Sequence, residues 1–288
     1  MPERASQGRA ATRTAAYPMV GDPPLKRKVA EMAPTDRTYR SALITGSSSG
    51  IGAAFARLLP RETHLVLTGR NASRLEQVSA ELSFPGRRID AVVADLATAE
   101  GRDSVAAAAE HAAVDLFVCN AGGATAGDFG TTSLDAERET IAVNVVATVE
   151  LLYTLLPSML ARAIAENRRA GIIIVSSAAA FGARPGLATY AASKAFQLRL
   201  GEALSMELKQ QPIDILALCP IRTETEFFSR AGLPPAGPQA ISPETVAREG
   251  MRALGRTPVH VWNPPPTGLR RLLRAVSLRS WRARLTGS

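Results

Sequence analysis

Apolar strand-like runs alternate with helix-like segments along most of the chain, and this alternation constrains the fold more than any other feature. We predict strands at 41–45, 64–68, 89–94, 116–119, 171–175, 213–218 and 259–262. The segments between them include predicted helices at 75–82, 97–113 and 140–160. Alternating elements with short connections favour right-handed crossovers and a parallel sheet. The sequence therefore predicts an α/β fold, a doubly wound parallel sheet of the Rossmann type in a single domain.

A glycine-rich turn follows the first predicted strand. The strand at 41–45 runs into GSSSGIG at 46–52 and then into the helix-favouring segment AAFARLL. In this context glycines permit a tight turn and let the backbone approach a pyrophosphate, while the helix N-terminus faces the phosphates. The third glycine of such a turn allows helix and strand to pack closely. We therefore predict dinucleotide contacts from Gly46, Ser48, Ser49, Gly50, Ile51 and Gly52.

The next two strand ends carry residues suited to the adenosine half of a dinucleotide. The second predicted strand ends in Gly69-Arg70. Sites specific for NAD usually place an acid here, whereas a basic residue accommodates the 2′-phosphate of NADP. Arg70 therefore favours NADP, although an Arg at a strand end is also often a solvated loop residue. Asp95 and Leu96 close the third strand, where an adenine ring would lie.

Tyr190 and Lys194 lie four residues apart in a helix-favouring segment rich in Ala, Leu and Met. Both side chains should leave one face of a helix, about 6 Å apart along its axis. An adjacent ammonium stabilises a phenolate, so we expect Lys194 to lower the pKa of Tyr190 and to suit it for proton transfer. Taken alone, such a pair is more often an exposed Tyr and Lys. Asn144, amid apolar residues of the predicted helix 140–160, is open to two interpretations, a satisfied core amide and a functional residue.

Composition argues against several other classes of protein. At 288 residues, 46% hydrophobic and 21% charged, the chain is long enough for a large α/β domain. Its longest apolar runs fall far short of the roughly 20 residues that a membrane span needs, and no signal-type leader is recognised, so we expect a cytoplasmic protein. Cys119 and Cys219 each end an apolar run and are expected to be free buried thiols. The three histidines lack neighbours at ligand spacing, so no metal site is predicted.

Positive charge is concentrated at the two ends of the chain. Residues 1–40 carry eight Lys or Arg and four acids, and 268–288 carry six Arg and no acid, so 41–267 has a net charge of −2 against +8 overall. We predict a disordered extension at 1–40, a Rossmann domain at 41–267 and a basic tail at 268–288. Basic ends around an acidic centre argue against nucleic acid binding. The tail has two open interpretations, contact with an anionic membrane surface and packing against the core or a partner subunit.

Seven short motifs together resemble the short-chain dehydrogenase/reductase family. They are TGSSSGIG at 45–52, Asp95-Leu96, CNAG at 119–122, Asn144, Ser177 thirteen residues before Tyr190, YAASK at 190–194, and CPIRTET at 219–225. Any one of them could arise by chance, but their order and spacing over residues 41–262 are very specific. The sequence is thereby identified as similar to this family over nearly all of its predicted folded part.

The resemblance implies a role for each matching residue. Tyr190 would be the general acid/base, and Lys194 would lower its pKa and bind the nicotinamide ribose. Ser177 would polarise or position the substrate oxygen, and Asn144 would help to hold a water that links Lys194 to solvent. Ser176 is one residue too far from Tyr190 for the catalytic serine. Further cofactor contacts are implied for Asn120, Ala121, Gly122, Pro220 and Thr225.

The implied activity is hydride transfer between a nicotinamide cofactor, NADP(H) favoured over NAD(H), and a carbonyl or alcohol substrate. Mostly apolar loops near 123–130, 178–189 and 226–240 suggest a small or lipophilic substrate. Family members pair the helices corresponding to 140–160 and 190–209, which implies a homodimer or homotetramer.

Two positions depart from the family pattern. Cys119 stands where the family usually has Asn, and Ile221 stands where it usually has Gly in the loop beside the nicotinamide. A β-branched residue restricts the backbone and adds bulk near the ring. The alternative interpretation is therefore a dinucleotide-binding sensor or scaffold protein with little turnover.

Overall fold

The computed structural model describes residues 38–234, 237 and 240–262. Over these residues it contains a parallel sheet of seven strands in the order β3-β2-β1-β4-β5-β6-β7. The strands are β1 Ser41–Thr45, β2 His64–Gly69, β3 Ile89–Val93, β4 Leu116–Cys119, β5 Ala170–Val175, β6 Ile213–Cys219 and β7 Val259–Val261. The predicted doubly wound α/β fold is confirmed, and every predicted strand lies within one residue of the observed bounds at each end. The predictions for 1–37 and for 268–288 lie outside the described residues.

Helices cover both faces of the sheet. They are α1 Gly50–Leu58, α2 Ala72–Glu81, α3 Ala99–His111, α4 Leu134–Ile141, α5 Ala147–Ala165, α6 Ala188–Glu207, α7 Phe227–Arg230 and α8 Pro243–Ala253. On one face, α3, α5 and α6 pack through residues such as Val105, Leu155 and Leu204. On the other, α1, α2 and α8 pack through residues such as Phe55, Leu75 and Val246. Burial on both faces explains why the central strands β1, β4 and β5 are nearly continuous apolar runs.

The helix predicted from residue 140 begins earlier and is not uniform. A helical segment runs from Leu134 to Ala165, in which a π-helical turn, Ala142–Val146, separates α4 from α5. The acidic Asp135 and Glu137 in the first turn suit a helix N-terminus but hide the apolar periodicity. The segment is long and apolar enough to cross a membrane by these two criteria alone, with a mean hydropathy of 1.6 over its most apolar 18 residues, and 44% of those residues are buried inside the fold.

The folded part includes residues just before the first strand. Tyr39 is only 4% exposed and packs in the core beneath α1, α2 and α8. A Cβ added at Gly171 would lie 2.6 Å from the Tyr39 hydroxyl oxygen, so the absence of a side chain on β5 makes room for this ring. Tyr39 therefore closes the end of the sheet that is opposite to the carboxyl ends of the strands.

Candidate active site

A single large cleft of about 1520 Å³ runs along the carboxyl ends of the strands in the described part of the chain. This is the edge at which open α/β sheets bind ligands, and the strand order reverses there between β1 and β4. All of the predicted site residues line the cleft except Gly52 and Asn144, which lie behind its wall. Residues that are more than 170 positions apart in the chain are thus brought to one groove.

The glycine-rich turn has a backbone that only glycine adopts easily. Gly46 and Gly50 have φ angles of +65° and +55°. A Cβ on Gly50 would lie 2.9 Å from Thr225 Cγ2, and one on Gly52 would lie 2.6 Å from Asn120 Nδ2. The turn therefore has no room for side chains at these positions, and α1 begins directly at Gly50 with its N-terminus at the cleft. These features fit a bound pyrophosphate.

The residues that follow β4 are hydrogen-bonded to the end of β1. The Asn120 side chain donates to the carbonyl oxygens of Thr45 at 2.9 Å and Gly46 at 3.2 Å, and the backbone N–H groups of Asn120 and Ala121 donate to Thr45 Oγ1. Asp95, at the end of β3, accepts from the backbone of Ala97 at 3.0 Å. These contacts give Asn120 and Asp95 a structural function in addition to their positions at the cleft wall.

Two arginines at the β2 end of the cleft are paired with acids from distant elements. Arg70 is paired with Glu139 of α4, and Arg74 of α2 is paired with Glu226, just before α7. Glu226 also accepts from Arg230 at 2.7 Å, and these two arginines lower its pKa. Arg230 donates in turn to Ser49 Oγ in the glycine-rich turn at 3.2 Å. The segment that follows β6 is therefore tied across the groove by charged side chains.

Tyr190 lies in the cleft wall with a mostly buried ring. Burial raises the pKa of its phenol, and a hydrogen bond with Ser177 acts in the opposite direction. Ser177 Oγ also accepts from the backbone N–H of Ala179 at 3.1 Å, which orients the serine at the end of β5. Phe227 of α7 covers the tyrosine, with 5.3 Å between the ring centroids. A substrate oxygen that reaches Tyr190 therefore meets two hydroxyl groups beside an aromatic surface.

Lys194 is buried, and its ammonium is held by neighbours other than the phenol. Nζ donates to the Val175 carbonyl at 3.0 Å and to Gln197 Oε1 at 2.8 Å, and it lies 5.8 Å from the centroid of the Tyr190 ring. Burial lowers the pKa of Lys194 to about 8. The expectation that Lys194 lowers the pKa of Tyr190 is wrong for this conformation, because burial of the phenol dominates and the lysine is not among the groups that shift it.

Asn144 lies in the π-helical turn and is fully buried. Its side-chain oxygen accepts from Gly123 N at 2.9 Å, and its nitrogen donates to Gly123 O at 2.9 Å and Ser193 Oγ at 2.8 Å. Its backbone carbonyl accepts from Thr148 Oγ1 at 2.8 Å and from Gln197 Nε2 at 2.9 Å. Asn144 therefore fits the description of a satisfied core amide, and a glutamine side chain lies between it and Lys194.

Other predicted residues have clear positions around this centre. Ser176 Oγ donates to the backbone carbonyl of Lys194 at 2.7 Å, a bond that stabilises the start of α6 against β5. Pro220 and Ile221 line the cleft after β6, and the Pro220 carbonyl accepts from Ala178 N at 2.9 Å. Thr225 packs against Gly50 across the groove. The loop with Ile221 thus closes onto the glycine-rich turn despite the branched side chain.

Sequence reasoning missed several residues that line or support the cleft. They are Arg74, Gln197, Glu226, Phe227 and Arg230. Gln197 could have been predicted as a partner of Lys194, because it lies three residues later on the same helical face and is polar among apolar residues. Glu226, Phe227 and Arg230 lie in the loop near 226–240 that is predicted beside the substrate, but their individual contacts, and the pairing of Arg74 with Glu226, depend on how α7 folds over the groove.

The described residues contain neither a disulfide nor a cluster of metal ligands. Cys119 and Cys219 are free and buried, and burial raises the pKa of both thiols. Over residues 38–234, 237 and 240–262 no group of three or more His, Cys, Asp or Glu is arranged to hold a metal ion.

The parallel sheet, the cleft at its switch point and the glycine-rich turn define the class of Rossmann-fold proteins. A family model described as short chain dehydrogenase matches residues 40–233, which is more than half of the chain. The chain belongs to the short-chain dehydrogenase family.

Individual relatives agree with this family. The chain is 37% identical over 196 residues to the human protein named dehydrogenase/reductase SDR family member 2, mitochondrial, covering 65% of this chain and 66% of the relative. It is 31% identical over 254 residues to glycine betaine reductase ATRR of Emericella nidulans, covering 83% of this chain and 19% of that protein. The chain thus spans just under two thirds of the human relative and about a fifth of the fungal one.

A solved structure is also similar. It is a short-chain dehydrogenase from Sphingobium yanoikuyae in complex with NADPH, with a TM-score of 0.72 and 27% identity. The similarity covers 86% of this chain and 96% of that one.

Proposed function

We propose that the protein is an oxidoreductase that transfers a hydride between a nicotinamide cofactor and a carbonyl or alcohol substrate. The observation that carries the proposal is the position of Tyr190, Ser177 and Lys194 in one cleft with the glycine-rich turn. When bound, the reduced nicotinamide would supply the hydride for carbonyl reduction, and the oxidised nicotinamide would accept it in alcohol oxidation. The protein has to bind the cofactor, orient the substrate oxygen and give or take its proton.

The residues around the cleft fit a dinucleotide. The backbone at Gly46 and Gly50 and the N-terminus of α1 would hold the phosphates. A Cβ on Gly122 would lie 3.2 Å from both Lys194 Nζ and Asn144 Oδ1, so the glycine leaves the lysine open to the cleft. Lys194 would donate to the nicotinamide ribose, and Thr225 to the carboxamide end of the cofactor.

Tyr190 is proposed as the proton donor during reduction and as the acceptor during oxidation. Its raised pKa keeps the phenol protonated near neutral pH, which suits donation to a carbonyl oxygen that gains charge. Ser177 bonds the same phenol and would bond the substrate oxygen as well. Lys194, with a pKa of about 8, is charged at neutral pH, and its proposed part is to hold the nicotinamide ribose beside the phenol.

We propose NADP(H) as the preferred cofactor. Arg70 and Arg74 both line the cleft at the β2 end, and each forms an ion pair with an acidic side chain. The 2′-phosphate of NADP(H) would replace that acid as the negatively charged partner of the arginine. The Sphingobium relative was solved with NADPH, which is consistent with this preference. A lipophilic carbonyl is the proposed substrate class, supported by the apolar residues Val143, Ala179, Leu187, Ile221, Phe227 and Leu233 along the cleft.

A homodimer or homotetramer is the proposed assembly. Large apolar side chains are exposed on the helices that the family resemblance pairs. They are Ile141 of α4, Val149 and Tyr153 of α5, and Phe196 and Met206 of α6. Such exposed side chains on neighbouring helices are a common mark of a subunit interface.

The proposal is tested by two measurements in sequence. NADPH and NADH are first titrated by fluorescence, and the expected result is tighter binding of NADPH. Oxidation of NADPH is then followed with a panel of aromatic and aliphatic aldehydes and ketones. Turnover of at least one lipophilic carbonyl supports the oxidoreductase.

The alternative is a dinucleotide-binding sensor or scaffold protein, and the position of Ile221 in the cleft wall favours it. NADPH binding without turnover across the whole panel would favour this alternative. If turnover then appeared in Ile221→Gly, the bulk of the isoleucine beside the cofactor would account for its absence in the natural chain.

A further inference from the structure

Gln197 joins the buried lysine to the π-helical turn through a single amide. Gln197 belongs to α6 and is 0% exposed. Its Oε1 accepts from Lys194 Nζ at 2.8 Å, and its Nε2 donates to Asn144 O at 2.9 Å and to Thr148 Oγ1 at 3.0 Å. Both donors of the amide and one lone pair of its oxygen are therefore used within the protein.

The Gln197 amide joins Lys194 Nζ to the backbone carbonyl of Asn144. The Asn144 carbonyl accepts from Thr148 Oγ1 at 2.8 Å as well as from Gln197 Nε2, so both of its lone pairs are used. The resemblance implies that Asn144 holds a water that links Lys194 to solvent. In the structure it is the Gln197 side chain that connects the two residues, because it bonds both Lys194 Nζ and the Asn144 backbone carbonyl.

The amide also fixes which way the ammonium faces. An ammonium has three N–H donors, and Val175 O and Gln197 Oε1 accept two of them at 3.0 and 2.8 Å. The remaining N–H is available on the side of the cleft, where Lys194 lines the wall next to Gly122. Removal of the Gln197 acceptor would leave a buried ammonium with one fewer partner.

We propose that Gln197 is a positioning residue that holds the Lys194 ammonium charged and directed at the cofactor side of the cleft. This inference rests on the proposed function, because it assigns Gln197 a part in the same site. It predicts that the chemistry of the Gln197 side chain sets the pH range in which Lys194 contributes to cofactor binding.

Among Lys194 and the titratable side chains around it, Lys194 is the group expected to titrate near pH 8. Burial lowers its pKa to about 8. The other titratable groups that face it are Tyr190 of α6, Cys119 of β4 and Cys219 of β6. Burial raises the pKa of all three, for Cys219 to about 12, so they stay neutral as Lys194 loses its proton.

The test compares two Gln197 variants with a matched control. Gln197→Met keeps the shape and removes the acceptor for Lys194, whereas Gln197→Glu replaces it with a negative charge. Thr148→Val removes a partner of Nε2 without removing any contact of Lys194. For each variant, NADPH affinity is measured by fluorescence from pH 6.5 to 10, and NADPH-dependent carbonyl reduction is measured over the same range.

We expect Gln197→Met to move the alkaline loss of NADPH affinity down by about one pH unit and to weaken binding about tenfold at pH 8. Gln197→Glu should move the pH at which NADPH affinity is lost upwards, because a carboxylate stabilises the ammonium. Thr148→Val should leave this pH unchanged. If Gln197 had a purely structural role, both substitutions would lower thermal stability, but they would not move the pH profiles of NADPH affinity in opposite directions.

Unmoved profiles, or a shift of both variants in the same direction, would overturn the inference. If circular dichroism shows that Gln197→Met is unfolded, Gln197→Glu alone decides: an upward shift supports the inference and an unmoved profile refutes it. Absence of turnover in the natural protein would count against the proposed function, while the NADPH-binding profiles would still test Gln197.

Discussion

The ring of Phe227 packs on the ring of Tyr190, with 5.3 Å between the centroids and 44° between the ring planes. Tyr190 belongs to α6, and Phe227 begins α7, the short helix after β6. The contact links the proposed proton donor to the segment that crosses the cofactor groove. Closure of this segment and placement of the phenol are therefore coupled through one aromatic pair.

Replacement of Phe227 by alanine should lower kcat/KM for lipophilic carbonyls about three- to tenfold, since an aromatic pair contributes about 0.5–1.5 kcal/mol beyond the area it buries. Phe129 is the matched control, because it is 69% exposed and does not line the cleft. Phe129→Ala should leave kcat/KM unchanged. Equal effects of the two substitutions would show that the Phe227 contact with Tyr190 has no special importance.

Arg70 and Arg74 should determine the preference for NADPH. Arg70→Ala and Arg74→Ala are each expected to weaken NADPH binding about tenfold and to leave NADH binding nearly unchanged, because only NADPH carries the 2′-phosphate. The measurement is a fluorescence titration with both cofactors. Arg57→Ala, an exposed arginine paired with Glu81 outside the cleft, is the control. An equal loss for both cofactors would contradict this account of the two arginines.

Alanine substitutions at Gly50 and Gly86 distinguish the effect of backbone strain from the effect on cofactor binding. Both have positive φ, +55° and +88°, so alanine at either position should cost about 1–2 kcal/mol of folding free energy. A Cβ on Gly50 would also meet Thr225 at 2.9 Å, whereas one on Gly86 meets nothing within 4 Å. Gly50→Ala should therefore weaken NADPH binding by tenfold or more, and Gly86→Ala should lower the melting temperature only. Normal NADPH affinity in Gly50→Ala would contradict the proposed phosphate site.

The proposed subunit interface should depend on Tyr153, which lies on α5 with 66% of its surface exposed. Light scattering of the natural protein is expected to show a dimer or tetramer, and Tyr153→Glu should shift it towards the monomer because a charge in an apolar interface is costly. Leu58→Glu changes an exposed apolar residue on α1 and should have no such effect. A natural protein that is monomeric at micromolar concentration would rule out this interface.

The centre of the sheet could be predicted from sequence because β1, β4 and β5 are nearly continuous apolar runs with a polar residue at or just after the end of each. The start of the long helix at Leu134 could not, because its first turn combines an exposed Leu134 with the acidic Asp135 and Glu137 and carries no apolar stripe. The π-helical turn that holds Asn144 was missed for a related reason. Nothing in the apolar sequence AVNVV distinguishes it from an ordinary helix.

The members of the candidate site were predicted more completely than the contacts between them. The spacing of Tyr190 and Lys194 correctly places both residues on one helix at the cleft. It does not show that the ammonium bonds Gln197 and Val175 instead of acting on the phenol, because that depends on the packing of α6 against β5. The pairing of Arg74 with Glu226 joins positions 152 residues apart, a separation that local patterns do not specify.

The central claim is that Tyr190 transfers the proton in a nicotinamide-dependent reaction, and Tyr190→Phe tests it most directly. This substitution removes only the hydroxyl and keeps the ring that packs on Phe227. NADPH affinity is measured by fluorescence and carbonyl reduction by NADPH consumption in the same preparations. We predict that turnover falls at least a thousandfold, at the upper end of what acid–base catalysis contributes, while NADPH still binds. Turnover equal to that of the natural protein would contradict the account.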